Sequence, residues 1–318
     1  MSKNLNTWIV LLNFNGANDT LECISSLQSA SSDFQGIILV DNCSTDDSLA
    51  VIESYFKNTG FDYRRFDSPS AAFAAPSPTE RLILILSDSN NGYGHGNNIG
   101  IRYALKSQAD YVLVLNNDTV VKNDFLRPLV SCCMQDPSVG IVSPKIFFHH
   151  EKDRIWFNGG NFNPLLGKAT HANFNEIDVG QKPPSRLTFS TGCAWLLPRQ
   201  VIEDVGLINE TYFMYVEDLE YCHRVLAAGY TLRVAQESHI WHKVGSSTGG
   251  NLSSFSVYWR TRNMVRFLRS LEMGPLSTLL AITIFNLRQS TNLVRNGKFN
   301  LLGTQAKALV NGLLQPPT

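Results

Sequence analysis

The stretch Tyr111–Asp118, which reads YVLVLNND, decides the fold prediction. Its first five residues carry no charge, which is typical of a strand buried on both faces of a parallel sheet. Asn116, Asn117 and Asp118 follow directly. An earlier stretch has the same form, since Ile37–Val40 runs into Asp41 and Asn42. Because ligands of open α/β sheets bind at the carboxyl ends of the strands, both polar runs are candidate binding sites.

The first half of the chain alternates short apolar runs with helical patterns. Apolar residues recur at helical spacing between the runs, as in Ile99–Leu105. This β-α-β-α order predicts an α/β fold with a mostly parallel central sheet flanked by helices. The predicted strands are Trp8–Leu12, Ile37–Val40, Leu82–Leu86 and Tyr111–Leu115, and the regular alternation stops after Val139–Ile146.

The remaining segments are less regular. Residues 68–79, SPSAAFAAPSPT, predict a flexible excursion, and residues 149–186 are rich in Asn, Gly and Pro. Ser253–Leu271 returns to a helical pattern, and the apolar-rich segments 274–288 and 299–314 finish the chain. The sequence therefore predicts C-terminal helices.

Length and charge balance limit the kinds of protein that this chain can be. A chain of 318 residues can hold one large domain or two smaller ones. Lys plus Arg equals Asp plus Glu at 27 each, which argues against a dedicated nucleic-acid-binding protein, since that class needs a basic face.

The cysteines and the apolar segments bear on location. None of the six cysteines forms a C-x-x-C pair, so reduced thiols in a cytosolic protein are expected. The N-terminus reads as a first strand rather than a secretory signal. Pro275–Leu287 is too short for a membrane span and contains Asn286.

A pair of adjacent carboxylates marks the candidate catalytic site. Tyr212–Gly229 reads YFMYVEDLEYCHRVLAAG, so Glu217 and Asp218 lie where an aromatic loop becomes an amphipathic helix. One of them could be a general base. The alternative is that both are first-turn acids favoured by the helix dipole.

Three other polar residues each allow two interpretations. Asp41 could accept the imide N–H of uracil or thymine, or it could cap the turn that follows its strand. Asp118 could hold a divalent cation against phosphates, or it could cap a strand end. His242 could be a metal or phosphate ligand, or a structural histidine.

Asn91–Gly100, NGYGHGNNIG, is similar to a dinucleotide-binding fingerprint. Ser87–Gly92 separate these glycines from the preceding strand, however, and the motif lies in the third αβ unit. A glycine-rich turn that lets the backbone approach a nucleotide or a sugar fits two functions. An NAD(P)-dependent enzyme built on Gly94–Gly100 is therefore an alternative at this point.

Seven segments in order resemble the inverting family-two glycosyltransferases of the GT-A fold, in particular the bacterial rhamnosyltransferase-like subgroup. They are IVLLNFNG (9–16), VDNCSTDDS (40–48), NNGYGHGNNIGIRYAL (90–105), YVLVLNNDTVV (111–121), TGCAWLLPRQVIEDVGLINETYFMYVEDLEYCHRVLAAGY (191–230), WHKVGS (241–246) and YWRTRNMVRFLR (258–269). The resemblance implies a catalytic domain at 1–250, with a nucleotide-binding half at about 1–120 and an acceptor-binding half at about 121–250. A helical extension would occupy 251–318.

The resemblance also implies roles for single residues that bind the donor. Asn116 replaces the first acid of the family's D-x-D motif, and Asp118 stands in its last position, where it would hold Mg²⁺ or Mn²⁺ together with His242. The remaining donor-binding residues implied are Asn13, Asn15 and Asp41 around the base and ribose, Gly96, Asn97 and Asn98 along the nucleotide or sugar, and Asn117.

For catalysis, the resemblance implies Asp218 as the general base and Glu217 as its neighbour or an acceptor anchor. The expected reaction moves a sugar with inversion from a dTDP- or UDP-sugar, such as dTDP-rhamnose, to a saccharide or lipid-linked saccharide in cell-surface polysaccharide synthesis. A non-catalytic binding protein on the same fold is a further alternative.

Two expectations concern surfaces. Trp195, Tyr212, Phe213 and Tyr215 could form an apolar wall under a sugar ring, although aromatic residues are more often core. The arginine-rich segment 258–269 and the apolar segments after it suggest peripheral contact with the inner face of the cytoplasmic membrane. The alternative for the arginines is ordinary helix packing and phosphate contacts.

Overall fold

The computed structural model describes residues 6–30, 33–244 and 252–316. Within these ranges, strands form a ten-stranded sheet and a separate two-stranded sheet. The strands are β1 (Thr7–Asn13), β2 (Gly36–Asp41), β3 (Tyr63–Phe66), β4 (Leu82–Leu86), β5 (Tyr111–Asn116), β6 (Thr119–Val121), β7 (Val139–Phe148), β8 (Ile155–Phe157), β9 (Gly160–Asn163), β10 (Lys168–His171), β11 (Ala194–Pro198) and β12 (Thr231–His242).

Helices flank the large sheet and follow it at the C-terminal end. They are α1 (Ala17–Ser29), α2 (Ser48–Thr59), α3 (Pro69–Ala74), α4 (Tyr93–Lys106), α5 (Leu126–Gln135), α6 (Arg199–Val205), α7 (Glu217–Ala227), α8 (Ser254–Ser270), α9 (Pro275–Arg295) and α10 (Leu302–Leu314). Short 3₁₀ turns lie at Pro164–Leu166 and Phe299–Leu301.

The large sheet has the strand order β3-β4-β2-β1-β5-β11-β7-β12-β6, with β8 paired to β7. The first five strands in this order are parallel. Along the chain, a helix connects each consecutive pair of strands from β1 to β5, which is the connection that parallel strands need. β11 runs antiparallel to both β5 and β7. The predicted α/β fold with a mostly parallel sheet is confirmed, and the carboxyl ends of β1, β2 and β5 meet at one edge.

The strand predictions agree with the structure to within two residues at each end. Leu82–Leu86 is correct as predicted, and Tyr111–Leu115 is extended by one residue in β5. All six residues of β2 are buried. These runs were recognisable because a strand covered on both faces is mostly apolar, and its polar residues, such as Asp41, lie at its end.

Two predictions in the first half were wrong or incomplete. The segment 68–79 is not an irregular excursion throughout, because Pro69–Ala74 forms α3. Ser68 caps this helix by accepting a hydrogen bond from Ala71 N at 3.2 Å, and Ala72 is fully buried. The edge strand Tyr63–Phe66 was missed because its two arginines break the apolar run.

The glycine-rich segment is helical rather than a ligand-binding turn. Gly94, Gly96 and Gly100 lie inside α4. A Cβ at Gly96 would overlap Leu12, and one at Gly100 would overlap Val10, both on β1. These glycines let α4 approach the sheet closely, so they give no support to a dinucleotide-binding loop.

The C-terminal helices pack onto the main core. Met264, Phe267 and Phe285 belong to the same apolar cluster as the sheet. The predicted domain boundary at 250–251 lies outside the described residues, so the division of the chain stays a prediction. In the part of the chain that the structure describes, no helix is long and apolar enough to cross a membrane.

The arginines of α8 mostly point inward. Arg262 and Arg266 are buried and donate to the carbonyl of Thr211 at 3.4 and 3.1 Å. Arg269 donates to the carbonyls of Gly312 and Gln315 at 2.9 and 2.6 Å. Helix packing therefore accounts for these three residues, and they form no basic face towards a membrane.

Candidate active site

Predicted site residues from three strands meet at the carboxyl edge of the sheet. In the parallel register, Asn13 of β1 lies opposite Asp41 of β2, and Leu12 lies opposite Asn116 of β5. Asn13 donates its side-chain amide to Asp41 Oδ1 at 2.7 Å. The structure therefore brings together two of the residues predicted for the nucleotide base and ribose.

Asp41 also organises the turn that follows β2. Its Oδ1 accepts from Ser44 Oγ at 2.6 Å, and its Oδ2 accepts from Ser44 N at 3.0 Å. These bonds match the turn-capping interpretation. Together with the bond from Asn13, Oδ1 accepts two hydrogen bonds and Oδ2 accepts one, so Oδ2 keeps one free acceptor site.

Asn15 joins the same turn. Its backbone N–H donates to Ser44 Oγ at 3.0 Å, and its Oδ1 accepts from Thr45 N at 2.8 Å. It adopts a left-handed φ of 52°, a conformation that Asn tolerates better than most residues. The β1–α1 and β2–α2 turns are thus fixed to each other.

Thr20 of α1 connects this cluster to β5. Its hydroxyl donates to Asn13 Oδ1 at 2.8 Å and accepts from Asn117 Nδ2 at 2.8 Å. Thr20 and Asn13 are fully buried. Asn117 therefore lies beside the predicted nucleotide residues.

The three predicted residues of α4 differ in their surroundings. Gly96 faces Asn42, since a Cβ there would lie 3.2 Å from Asn42 Oδ1. Asn97 donates back to Tyr93 O at 3.0 Å. Asn98 donates to Ile208 O at 2.7 Å and accepts from Ile208 N at 3.0 Å, so its observed contacts are structural. Donor contacts by these residues stay predictions.

Asp118 and His242 form a buried pair beyond β5. Asp118 Oδ1 lies 3.2 Å from His242 Nε2, and both residues are 7% exposed. Burial alone would raise the pKa of the Asp118 carboxyl, but the charge of His242 and its hydrogen bond, with smaller contributions from a backbone N–H and Lys243, together lower the pKa. Burial would lower the pKa of His242, but Cys193 and Asp118 raise it to about 10.

This pair fits a divalent cation that takes few protein ligands. Among the described residues, Asp118 Oδ1 has no well-aligned hydrogen bond and His242 Nδ1 has no hydrogen-bond partner. No group of three or more His, Cys, Asp or Glu that could hold a metal occurs in residues 6–30, 33–244 and 252–316. Mg²⁺ is commonly held by one or two carboxylates and completed by phosphate oxygens, which suits this pair.

Gly192 and Cys193 link the pair Asp118 and His242 to the predicted catalytic pair. The sequence interpretation did not include either residue. Cys193 contacts His242, and its carbonyl accepts from Asn116 N at 2.8 Å. Gly192 N donates to Asp218 Oδ2 at 3.2 Å. The available signal was the position of the TGC segment (191–193) directly before an apolar strand.

The predicted catalytic pair lies at the start of α7. Asp218 is half-buried, and its Oδ1 accepts from Leu219 N at 2.8 Å. Burial raises the pKa of Asp218, while the N–H groups of Gly192 and Leu219 oppose the rise. Burial and the Asp218 charge raise the pKa of Glu217 well above its ordinary value. Glu217 is 6% exposed, and its Oε2 has no hydrogen-bond partner among the described residues.

Tyr93 is a second residue that the sequence interpretation missed. Its hydroxyl donates to Gly192 O at 2.6 Å, and a Cβ on Gly192 would lie 3.5 Å from that hydroxyl. Burial raises the pKa of Tyr93 well above its ordinary value, and the carboxylates of Glu217, Asp218 and Asp118 add to the rise. The catalytic pair and Asp118 thus all lie close enough to Tyr93 for their charges to act on its phenol.

The loop before α7 is strained, and α8 holds it. Tyr215 and Val216 adopt φ values of 68° and 75°, which are rare for a β-branched residue such as valine. Asn263 of α8 donates to Met214 O and to Tyr215 O, each at 2.9 Å. Ser256 of α8 lies 2.9 Å from the Tyr215 hydroxyl. Helix α8 therefore holds the loop that positions Glu217 and Asp218.

The predicted aromatic wall divides into two parts. Trp195 and Tyr212 are fully buried, so they are core residues and the prediction of a sugar contact was wrong for them. Phe213 and Tyr215 are half-buried, and Phe213 stacks on Trp259 with ring centroids 4.8 Å apart. Only these two keep an accessible surface next to the catalytic pair.

Comparison with known proteins agrees with this geometry. The model of the family Glycosyl transferase family 2 matches residues 8–206. A curated relative, the dTDP-rhamnosyl transferase RfbF of Shigella flexneri, is 28% identical over 229 residues, which make up 69% of this chain and 73% of that protein.

Solved structures share the fold at low sequence identity. GalNAc-T7, solved with UDP, GalNAc and Mn²⁺, matches with a TM-score of 0.62 and 14% identity over 84% of this chain and 48% of its own. The mannosyltransferase PcManGT from Pyrobaculum calidifontis, in complex with GDP-Man and Mn²⁺, matches with a TM-score of 0.55 and 14% identity over 98% of this chain and 76% of its own. This chain therefore spans about half of the GalNAc-T7 chain. The predicted GT-A fold is confirmed.

Proposed function

This chain belongs to glycosyl transferase family 2, and from that premise we propose that it moves a sugar from a dTDP- or UDP-sugar to a hydroxyl group of a saccharide acceptor, with inversion at the anomeric carbon. The observation that carries the proposal is the Asp218 carboxylate, half-buried at the start of α7 and held by Gly192 N. Asp218 would be the base, and the polar sheet edge at Asn13 and Asp41 would take the nucleotide.

Asp218 has the properties of a general base. Its raised pKa brings it closer to neutral pH than an ordinary aspartate, which improves proton abstraction from an acceptor hydroxyl. The hydroxyl oxygen attacks the anomeric carbon as its proton passes to Asp218, and the bond to the diphosphate breaks. A single displacement of this kind inverts the anomeric centre.

Glu217 would act beside it in the neutral form. Its pKa is raised well above the ordinary value, which favours the protonated form, and a protonated carboxyl can donate a hydrogen bond. The buried Oε2 has no hydrogen-bond partner among the described residues, which suits an acceptor anchor. Keeping Glu217 neutral also limits repulsion between the site and the donor's negative diphosphate.

The base end of the donor would lie at Asn13, Asn15 and Asp41. A carboxylate accepts hydrogen bonds only, and the free acceptor site on Asp41 Oδ2 suits the imide N–H of uracil or thymine. This supports a dTDP- or UDP-sugar. The name of the Shigella relative, a dTDP-rhamnosyl transferase, makes dTDP-rhamnose the first donor to test.

Asp118 and His242 would hold Mg²⁺ or Mn²⁺ at the diphosphate. Bound there, the cation would neutralise charge that develops on the leaving diphosphate. Ligation requires His242 to be neutral, so its raised pKa means that a cation must displace a proton. Without a metal, the protonated imidazole could itself contact a phosphate oxygen.

The acceptor would be a saccharide or lipid-linked saccharide used in cell-surface polysaccharide synthesis. The half-buried Phe213, next to the catalytic loop, offers an apolar surface for such an acceptor. We place the protein in the cytoplasm at the inner face of the membrane, where a lipid-linked acceptor would be reached.

A thermal-shift panel tests the donor site. UDP, dTDP, GDP and NADH are each added with and without Mn²⁺ or Mg²⁺, and the melting temperature is recorded. We expect UDP or dTDP to raise it, and a divalent cation to increase that rise. A rise with NADH alone would overturn the proposal, and an unchanged rise after adding metal would remove the cation from it.

A further inference from the structure

The outer side of α9 carries a stripe of exposed leucines and one valine. The exposed fractions are 79% for Leu276, 62% for Leu279, 51% for Leu280, 62% for Leu287 and 43% for Val294. Leu276, Leu280, Leu287 and Val294 follow one another at intervals of four or seven residues, so they lie along one side of the helix. We call these five residues the outer stripe.

The outer stripe is not needed for packing within the chain. Ala281, Ile282, Phe285 and Leu293 form the buried side of α9. Phe285 packs over Gly167, where a Cβ would lie 3.0 Å from Phe285 Cβ. A surface helix normally pairs one apolar side with a polar one, so a second apolar side indicates contact with something outside the chain.

Exposed apolar residues also occur on elements next to α9. Arg288 of α9 donates to Leu166 O at 2.6 Å, and Leu165 and Leu166 are 48% and 39% exposed. Of the eighteen exposed large apolar residues in the described ranges, nine lie between Leu276 and Leu314. This concentration distinguishes the C-terminal helices from the rest of the surface.

The charge of this region has one sign. Residues 273–318 contain no Asp or Glu, whereas the whole chain has equal numbers of acidic and basic residues. The cations Arg288, Arg295, Lys298 and Lys307 are all exposed. A leucine surface with cations and no carboxylates matches an anionic lipid surface, which attracts cations and accepts apolar side chains.

We infer that the outer stripe docks on the surface of an anionic lipid bilayer, with α9 lying in the plane of the interface. The occupant is a lipid surface because the flanking charges are complementary to it. This inference extends the proposed function, since it names the partner that holds the enzyme near a lipid-linked acceptor. It concerns residues outside the candidate active site.

Vesicle co-sedimentation of the full chain tests the inference. Vesicles of phosphatidylcholine are compared with vesicles containing about one-third phosphatidylglycerol, at low and moderate salt. We expect binding to the anionic vesicles, weakened by salt because the charge attraction is screened. The double variant Leu280→Ser/Leu287→Ser should bind at least about tenfold more weakly, since it loses two apolar anchors.

A matched control keeps the number of exposed apolar residues lost the same. The variant Met134→Ser/Val179→Ser removes side chains that are 63% and 82% exposed elsewhere on the surface, and it should bind vesicles like the wild type. Circular dichroism and melting temperature establish that both variants are folded. Replacing Arg295 and Lys298 with Gln should weaken binding to anionic vesicles specifically.

Three outcomes would overturn the inference. They are absence of the wild type from every vesicle pellet, equal binding by both double variants, and light scattering that shows a wild-type dimer dissolved by Leu280→Ser/Leu287→Ser. Release of nucleotide from a sugar nucleotide, measured without vesicles, should be the same in all these proteins. Failure of that release in the wild type would count against the proposed function and leave vesicle binding as a separate result.

Discussion

Replacing Asn263 should separate the position of the catalytic pair from donor binding. Asn263 is fully buried in α8 and donates to Met214 O and Tyr215 O, each at 2.9 Å. Those carbonyls belong to the strained loop in which Tyr215 and Val216 have positive φ. Asn263→Ala removes both donors while leaving the nucleotide-side residues untouched.

The size of the effect follows from the lost contacts. Leaving two partly buried carbonyls without donors costs about 2–4 kcal/mol of unfolding free energy. Each strained residue stores about 1–3 kcal/mol, so the loop gains by relaxing once the clamp is lost. A displacement of about 1 Å at the reacting groups can lower kcat about 100-fold. We therefore expect kcat to fall between about tenfold and 100-fold, with the Kd for UDP or dTDP unchanged.

Urea unfolding, nucleotide release from a sugar nucleotide and calorimetric binding of the nucleotide measure the three quantities. Thr261→Val is the control, because Thr261 is buried in the same helix and its hydroxyl has no hydrogen-bond partner among the described residues. Asn263→Asp keeps the side-chain volume without the amide donors, so it should be at least as damaging as Asn263→Ala. If Asn263→Ala keeps the wild-type kcat, or loses nucleotide affinity as much as kcat, then Asn263 does not act by positioning the catalytic pair.

Three further predictions follow from burial and charge. The raised pKa of Glu217 makes the folded protein hold a proton that the unfolded chain releases, so wild-type stability falls as the pH rises above the ordinary glutamate pKa. Glu217→Gln removes that fall, so the melting temperature of the variant relative to the wild type should rise from pH 5 to pH 8. A difference in melting temperature that stays constant over this range would contradict the prediction. The Arg260 charge lowers the pKa of Asp218, so Arg260→Gln should move the acid limb of the kcat/KM profile to higher pH. Glu217, Tyr93 and Cys222 are further titratable neighbours of Asp218, and a limb that stays in place would argue against Asp218 as the base. Gly100→Ala should lower the unfolding free energy measured in urea by about 1–3 kcal/mol, because the added Cβ would overlap Val10. Gly303→Ala in α10 is the control: its Cβ would have nothing within 4 Å, so the unfolding free energy should rise by up to about 1 kcal/mol. Equal changes in the two variants would contradict close packing of α4 at Gly100.

The parallel half of the sheet was predictable because its signals are local. A run such as Leu82–Leu86 is apolar for the reason that both faces of the strand are covered. Residues at the ends of such strands must then lie at one sheet edge. The meeting of Asn13 with Asp41 follows from this topology alone.

Other parts of the site depend on contacts between distant segments. Gly192 reaches Asp218 and Cys193 reaches His242 because the strand that follows them, β11, pairs with β5, and nothing near them in sequence specifies that pairing. The glycines of α4 match the pattern of a nucleotide-binding turn, yet Gly96 and Gly100 pack against side chains of β1, about ninety positions earlier along the chain.

The C-terminal helices show a further limit of sequence patterns. Four arginines in 258–269 fit a membrane surface, a phosphate site or helix packing equally well from spacing alone. The structure assigns Arg262, Arg266 and Arg269 to backbone carbonyls at Thr211 and in 312–316, contacts that no periodicity reveals. The apolar outer side of α9, by contrast, is visible in the sequence only once the buried side is known.

Comparing Asp218→Asn with the wild type tests the central claim most directly. The measurement is the rate of nucleotide release from dTDP-rhamnose or a UDP-sugar in the presence of acceptor, together with the Kd for the free nucleotide. We expect an unchanged Kd and a loss of kcat of at least about 100-fold, since Asn cannot accept the hydroxyl proton. Transfer by Asp218→Asn at the wild-type rate would contradict the claim.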